Sequence, residues 1–123
     1  MLTTLKRDGR PQLSNITYGV IGGVIKISVT AGRAKYANLS RDPRASLHVT
    51  SDDFWSYVVV EGDAELSDVA TKPDDPAVDE LVDYYRAIAG EHPDWDDYRK
   101  VMVSDKRVIV RIKPTHAYGM INR

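Results

Sequence analysis

The chain has 123 residues, with 17 bases and 18 acids for a net charge of −1, and no cysteine. This is the length of one domain, enough to bury roughly two thirds of the unfolded surface, and disulfide and thiolate chemistry are excluded. No apolar run is long enough to span a membrane, and no charged segment followed by an apolar one opens the chain, so the cytoplasm is the expected compartment.

Met1–Lys6 reads as a strand, followed by the hairpin signal Asp8-Gly9. Gln12–Tyr18 alternates loosely as a second strand with Pro11 at its start. Gly22-Gly23 marks the next turn, without the spacing of a dinucleotide fingerprint. In Val24–Thr30, Ile25, Ile27 and Val29 share one face and Lys26, Ser28 and Thr30 the other, the period of a strand buried on one side. Gly32 permits a turn, Ala34–Arg41 suits a short helix, and Asp42-Pro43 stops it. Arg44–Thr50 returns to alternation, with Ala45, Leu47 and Val49 inward.

After a loop at Ser51–Asp53, Trp55–Leu66 is a long strand. Val58, Val60, Gly62, Ala64 and Leu66 share a face, and Gly62 suits a bulge. The other face begins apolar with Tyr57 and Val59 and continues with Glu61, Asp63 and Glu65. A polar linker leads to a helix capped by Asp74 or Asp75, with Pro76 in its first turn and Gly90 at its end. Val78, Leu81, Val82, Tyr85, Ile88 and Ala89 follow the spacing of its apolar stripe. A shorter helix follows from Asp94, with Trp95, Tyr98 and Met102 on one side. Lys106–Lys113 reads as a strand ended by Pro114, and Thr115–Met120 as a possible last segment. The expected class is mainly β with helices (α+β), a six-stranded antiparallel barrel with helices at its rim, because closure removes exposed sheet edges.

The small net charge hides a segregation. Residues 61–97 hold thirteen acids and two bases, a net of −11, and the remainder carries +10. The basic part favours an anionic partner, whereas the acidic part would repel nucleic acid. Within Gly32–Leu47, Arg33, Lys35, Arg41 and Arg44 are balanced only by Asp42. Cations at the turn into a helix N-terminus suit an anion site; the same charges also suit a solvated basic face. There is no nucleophile elbow and no P-loop. His48, His92 and His116 lie far apart without Glu or Cys at ligand spacing, so no metal site is expected. The adjacent pairs Asp52-Asp53, Asp74-Asp75 and Asp96-Asp97 point apart whether on strand or helix. What is left is an anion cradle, a polar strand face beside it, and aromatics at Tyr36, Trp55 and Tyr57. That set suits a protein whose cofactor carries the reactive centre.

Gly9-Arg10-Pro11-Gln12-Leu13-Ser14-Asn15, Arg33-Ala34-Lys35, Asn38-Leu39, Arg41-Asp42-Pro43-Arg44-Ala45, Trp55-Ser56-Tyr57 and Glu61-Gly62 together resemble the split-barrel flavin-binding superfamily, which includes the pyridoxamine 5′-phosphate oxidase-like proteins. The stretch Tyr85-Arg86-Ala87-Ile88-Ala89-Gly90-Glu91-His92-Pro93-Asp94-Trp95-Asp96-Asp97-Tyr98 is most similar to the actinobacterial coenzyme F420-dependent oxidoreductases. The resemblance implies one FMN-binding-type split-barrel domain over residues 1–123. Family members usually carry a helix before the first strand, and this chain begins at that strand. A homodimer with cofactor sites at the subunit interface is implied, with F420 as cofactor and FMN as the alternative. Carried over to this chain, Arg33 and Lys35 match the phosphate-binding pair. Gln12, Ser14 and Asn15 match the strand beside the cofactor ring, and Ser28 and Thr30 the strand leading into the phosphate turn. Trp55 and Tyr57 match aromatics reaching in from the partner, although Trp55 also reads as an ordinary packed aromatic. The implied activity is hydride transfer between the deazaflavin and a planar organic substrate, with no catalytic residue assigned and no nucleic-acid or membrane partner. The alternatives are an FMN-dependent oxidase, a non-enzymatic flavin or deazaflavin carrier, and a heme-utilisation module with His48 or His116 on iron.

Overall fold

A computed structural model describes residues 1–120; residues 121–123 of the expected domain lie outside the described residues. In chain order the elements are β1 (Leu2–Leu5), β2 (Pro11–Ser14), β3 (Gly19–Ile21), β4 (Val24–Thr30), α1 (Ala34–Arg41), β5 (Arg44–Thr50), β6 (Tyr57–Leu66), α2 (Pro76–Ala89), α3 (Trp95–Ser104) and β7 (Arg107–Met120). The seven strands form one antiparallel sheet in the order β2-β1-β5-β6-β7-β4-β3.

The strand count is seven where the sequence predicts six, because the predicted strand Gln12–Tyr18 ends at Ser14 and Gly19–Ile21 forms a further strand. β2 pairs with β1 at one edge of the sheet, and β3 pairs with β4 at the other. Residues 15–18 leave the ladder to carry the chain between the two edges. Loose alternation there is the trace of a crossing, which needs no strand pairing.

The interior is the inward face read from alternation. Ile25, Ile27, Val29, Leu47, Val108, Val110 and Ile112 are buried together with Leu2 and Leu39. Ile109, on the opposite face of β7, joins a second cluster with Val78, Leu81, Val82, Tyr84, Tyr98 and Met102 from the two later helices. β7 is therefore apolar on both faces in its first half. On α2 the inward tyrosine is Tyr84 rather than Tyr85, and Ile88 is exposed. The Tyr84 hydroxyl reaches the Thr17 carbonyl at 3.2 Å, a polar contact that hydrophobic spacing does not report. Asp75 stands at the N-cap of α2, but its carboxylate accepts from Thr71 and Lys72 in the preceding turn and not from the helix.

Pro114 does not end the last strand. β7 runs on to Met120 and pairs with β6 from Val110 to Met120, with a register shift between Glu61 and Gly62. Glu61 faces His116 and Gly62 faces Pro114, so Thr115 is the extra residue. A bulge releases one backbone N–H from the ladder, which is where proline is tolerated in a sheet. Gly62 is required by closeness: a Cβ there would stand 2.3 Å from the Lys113 carbonyl oxygen.

Charge pins α2 to the sheet. Arg111 Nε donates to Glu80 Oε2 at 2.7 Å, and Lys26 Nζ stands 3.0 Å from the same oxygen. The Arg111 hydrogen bonds most of all, and Lys26 after them, hold the Glu80 carboxyl below its ordinary value of 4.5 against the opposing effect of burial. A depressed carboxylate stabilises the fold above its unfolded-state value, and that stability is lost as pH falls through the lower folded-state value. We expect Glu80→Gln to lower stability at pH 7 by about 2 kcal/mol and to blunt the loss seen below pH 4.5. Thermal melts of both proteins from pH 7 to pH 3 measure this; parallel curves would place the acid sensitivity elsewhere.

Candidate functional site

The topology puts a seam where the sheet's two edges are linked, and a cavity of about 300 Å³ lies beside it. Three pieces of chain meet there. Asn15, Ile16 and Thr17 come from the crossing segment, and Ser28, Val29 and Thr30 from the end of β4. Arg33 and Lys35 come from the start of α1, and Arg107 from the start of β7. The β4–β7 register sets Thr30 opposite Arg107, so the end of the polar strand face and the third cation arrive together. Among the described residues, no carboxylate lines the cavity.

Of the residues expected at the site, Asn15, Ser28, Thr30, Arg33 and Lys35 are thus gathered around one space. Gln12 and Ser14 lie on the half-buried face of β2 and do not line it. The Gln12 side-chain carbonyl instead accepts a 2.6 Å hydrogen bond from Asn38 Nδ2.

The four cations of Gly32–Leu47 divide into two pairs with different employment. Arg44 forks onto Asp42, with Nη2 2.7 Å from Oδ2. The side-chain hydrogen bond from Arg44 is the main cause that lowers the Asp42 carboxyl to about 2. Arg41 Nη2 donates to the Leu5 carbonyl at 2.9 Å and to Asn38 Oδ1 at 3.0 Å. Those two arginines are occupied with structure. Among the described residues, neither Arg33 nor Lys35 has an ion-pair partner within 4.0 Å. Both stand at the N-terminal end of α1, where Arg33 is the N-cap residue and the helix contributes its own positive end.

Arg107 is the site residue that the sequence reading missed. Its Nε is buried and makes no hydrogen bond, and the Asp105 carboxylate stands 3.7 Å away. A buried guanidinium N–H without an acceptor is costly unless something else accepts from it. In the sequence Arg107 is one base in a strand of alternating apolar residues, and only its pairing with Thr30 brings it to the cavity.

Trp55 and Tyr57 are elsewhere. Tyr57 pairs with Met120 at the far end of β7 from Arg107, about 40 Å along a 14-residue strand. The β5–β6 tip that carries Trp55 is tightly tied. Asp53 Oδ1 accepts from Ser51 Oγ at 2.6 Å and from Trp55 N at 3.0 Å. Those bonds, the Ser51 hydroxyl first, hold the Asp53 carboxyl below the usual range. The tip holds Phe54 in the left-handed region at φ 67°, uncommon for a bulky residue. Phe54 is 81% exposed and Trp55 68%, so in a single protomer neither is a packed aromatic. Tyr118 and Met120 are exposed on the adjoining strand. His48 lies 5.6 Å from the Tyr57 ring and His116 6.1 Å from Tyr118; neither lines the three-cation cavity.

The sequence matches the family model described as "Pyridoxamine 5′-phosphate oxidase" over residues 1–121. The chain belongs to this family. Its split-barrel architecture recurs in solved structures. The conserved hypothetical protein Rv2991 from Mycobacterium tuberculosis is 30% identical, with a TM-score of 0.71 over 96% of this chain and 73% of that one. A structure titled F420 reductase is 27% identical, with a TM-score of 0.64 over 95% of this chain and 86% of that one. HutZ, the heme storage protein from Vibrio cholerae, shares the fold at 13% identity, with a TM-score of 0.71 over 95% of this chain and 80% of that one.

Three cations, three hydroxyls and an amide around one space suit a phosphoryl group, which accepts several hydrogen bonds at once. Lys35→Ala and Arg107→Ala should each weaken inorganic phosphate or pyrophosphate binding by about 1.5–3 kcal/mol, with circular dichroism unchanged. Calorimetric titration decides; unaltered affinity in both variants would move the anion site away from this cavity.

Proposed function

We propose that this protein is an oxidoreductase that binds coenzyme F420 by its phosphodiester in the three-cation cavity and uses it to reduce or oxidise a planar organic substrate. The observation that carries the reading is the cradle itself: Arg33, Lys35 and Arg107 around a polar floor with no carboxylate in the lining. The likeness to the F420 reductase structure at 27% identity supports the same cofactor class, since the family as a whole takes in more than one.

When bound, the deazaflavin supplies the two-electron hydride chemistry. The chain's own part is binding and orientation, because the cavity lining offers no carboxylate, imidazole or thiol to take or give a proton. Holding donor and acceptor in near-attack geometry is itself a large part of catalysis. Asn15, Ser28 and Thr30 supply hydrogen bonds that fix the cofactor's approach, and the cations anchor its tail side. F420 carries a polyglutamate chain beyond its phosphodiester, and the surplus positive charge outside residues 61–97 suits that extra negative charge better than it suits FMN.

The same reading includes a two-fold homodimer. Tyr57 on β6 and Trp55 on the tip before it stand at the Met120 end of β7, the opposite end from Arg107 and the cavity, and the exposed Phe54, Trp55, Tyr118 and Met120 suit burial against a second copy. A two-fold arrangement is the commonest closed assembly. Cofactor binding and dimerisation are then linked, each strengthening the other.

Equilibrium titration with F420 and with FMN tests the cofactor choice, with tighter F420 binding expected; clearly tighter FMN binding would replace it with the FMN-oxidase reading. Sedimentation velocity over a dilution series, with and without F420, tests the shared site. A monomer that binds F420 at full affinity would rule that site out. Turnover of reduced F420 with a quinone or enone acceptor separates an enzyme from a carrier, which would bind the cofactor and leave it unoxidised.

A further inference from the structure

The cavity's cations and its amide come from separate pieces of chain, Arg33 and Lys35 at the head of α1 and Asn15 just beyond β2. One buried side chain ties the two pieces together. Asn38, in the middle of α1, is 7% exposed. Its Nδ2 donates to Gln12 Oε1 on β2 at 2.6 Å and to Thr4 Oγ1 on β1 at 3.1 Å. Its Oδ1 accepts from Arg41 Nη2 at 3.0 Å, and the same nitrogen donates to the Leu5 carbonyl at 2.9 Å. Both amide hydrogens and the amide oxygen are thereby used, and the helix is bonded to two strands at once.

We infer that Asn38 is the positioning residue of the phosphate site: it sets where α1 sits against β1 and β2, and so how far Arg33 and Lys35 stand from Asn15. The inference rests on the cradle reading of the cavity. Docking the helix does not by itself call for a buried amide, since Leu39, the next residue, is also buried and packs into the core. An apolar contact lets a helix slide and turn with little loss, whereas hydrogen bonds weaken steeply with angle and distance. The need for a directional lock is electrostatic. Among the described residues Arg33 and Lys35 have no acid within 4.0 Å, and Arg107, with Asp105 3.7 Å from its Nε, lines the cavity with them from another strand. Their repulsion pushes the helix head away from the cavity until an anion binds. Gln12 is three residues before Asn15, so its bond to Asn38 fixes the strand from which that amide is presented.

A double-mutant cycle between Asn38 and Lys35 tests this, read as affinity for inorganic phosphate and for F420. Asn38→Ala should weaken both about tenfold, the worth of one degraded charged hydrogen bond. In a Lys35→Ala background it should weaken them by less than about threefold, since the cation it positions is gone. Glu80→Gln, which loosens α2 on the far side of the sheet, serves as a stability control with phosphate affinity unchanged. If Asn38→Ala yields no folded protein, Gln12→Leu and Gln12→Glu replace it. The leucine removes the acceptor and should weaken phosphate binding, and the glutamate retains it and should restore binding. Parent-like affinity in Asn38→Ala or in Gln12→Leu would overturn the inference, as would equal losses in the two backgrounds. If Lys35→Ala itself leaves phosphate affinity unchanged, the cradle reading fails. If Lys35→Ala weakens binding and Asn38→Ala does not, only the positioning role fails.

Discussion

Arg33, Lys35 and Arg107 surround one cavity, and each repels the others through a space with no acid in its lining. In a medium of reduced dielectric such repulsion is a real free-energy cost, so the cations must be held by elements that cannot drift apart. The strongest restraint is the long β4–β7 ladder, six residues in register from Ile25 to Thr30. It delivers Arg107 opposite Thr30 and is buried on its inner face. The acids that offset these charges in the overall composition lie mainly on β6, α2 and α3. There they pin the helices, as Glu80 does through Arg111 and Lys26.

The location of the cavity follows from the sheet order. A seven-stranded sheet whose two edge strands are joined by residues 15–18 has an interruption in its hydrogen bonding at that link. No neighbouring strand takes the groups there: the Thr17 carbonyl and hydroxyl bond the Tyr84 hydroxyl instead, and Asn15 stands at the cavity.

Much of this was legible in the residues. The inward faces of β4 and β5, the proline stop after α1, and the basic turn all follow from period, sterics and charge, which are local properties; on β6 alternation misplaces the start, where Val58 is exposed and Val59 buried. Pairing is not local, and that is where reading failed. Nothing in Gln12–Ile21 states that its two ends belong to opposite edges of the sheet. Nothing in Lys106–Lys113 states that Arg107 will meet Thr30. Pro114 is a sound strand breaker in isolation, and only the facing Gly62 shows that a bulge absorbs it. Asn38 was visible only as part of a family-like string. Its burial depends on Gln12 and Thr4, which lie 26 and 34 residues away.

The bulge at Thr115 also sets the parity of the strand beyond it. Before it the even-numbered Val108, Val110 and Ile112 point into the barrel. After it the even-numbered His116, Tyr118 and Met120 stand opposite Glu61, Val59 and Tyr57, on the outer face. A single-codon deletion at position 115 would set Pro114 and His116 side by side against Gly62 and Glu61, a regular ladder in which Tyr118 and Met120 keep their outer face. What the strand would lose is the unpaired residue itself, and with it the local bend and added twist that a bulge supplies.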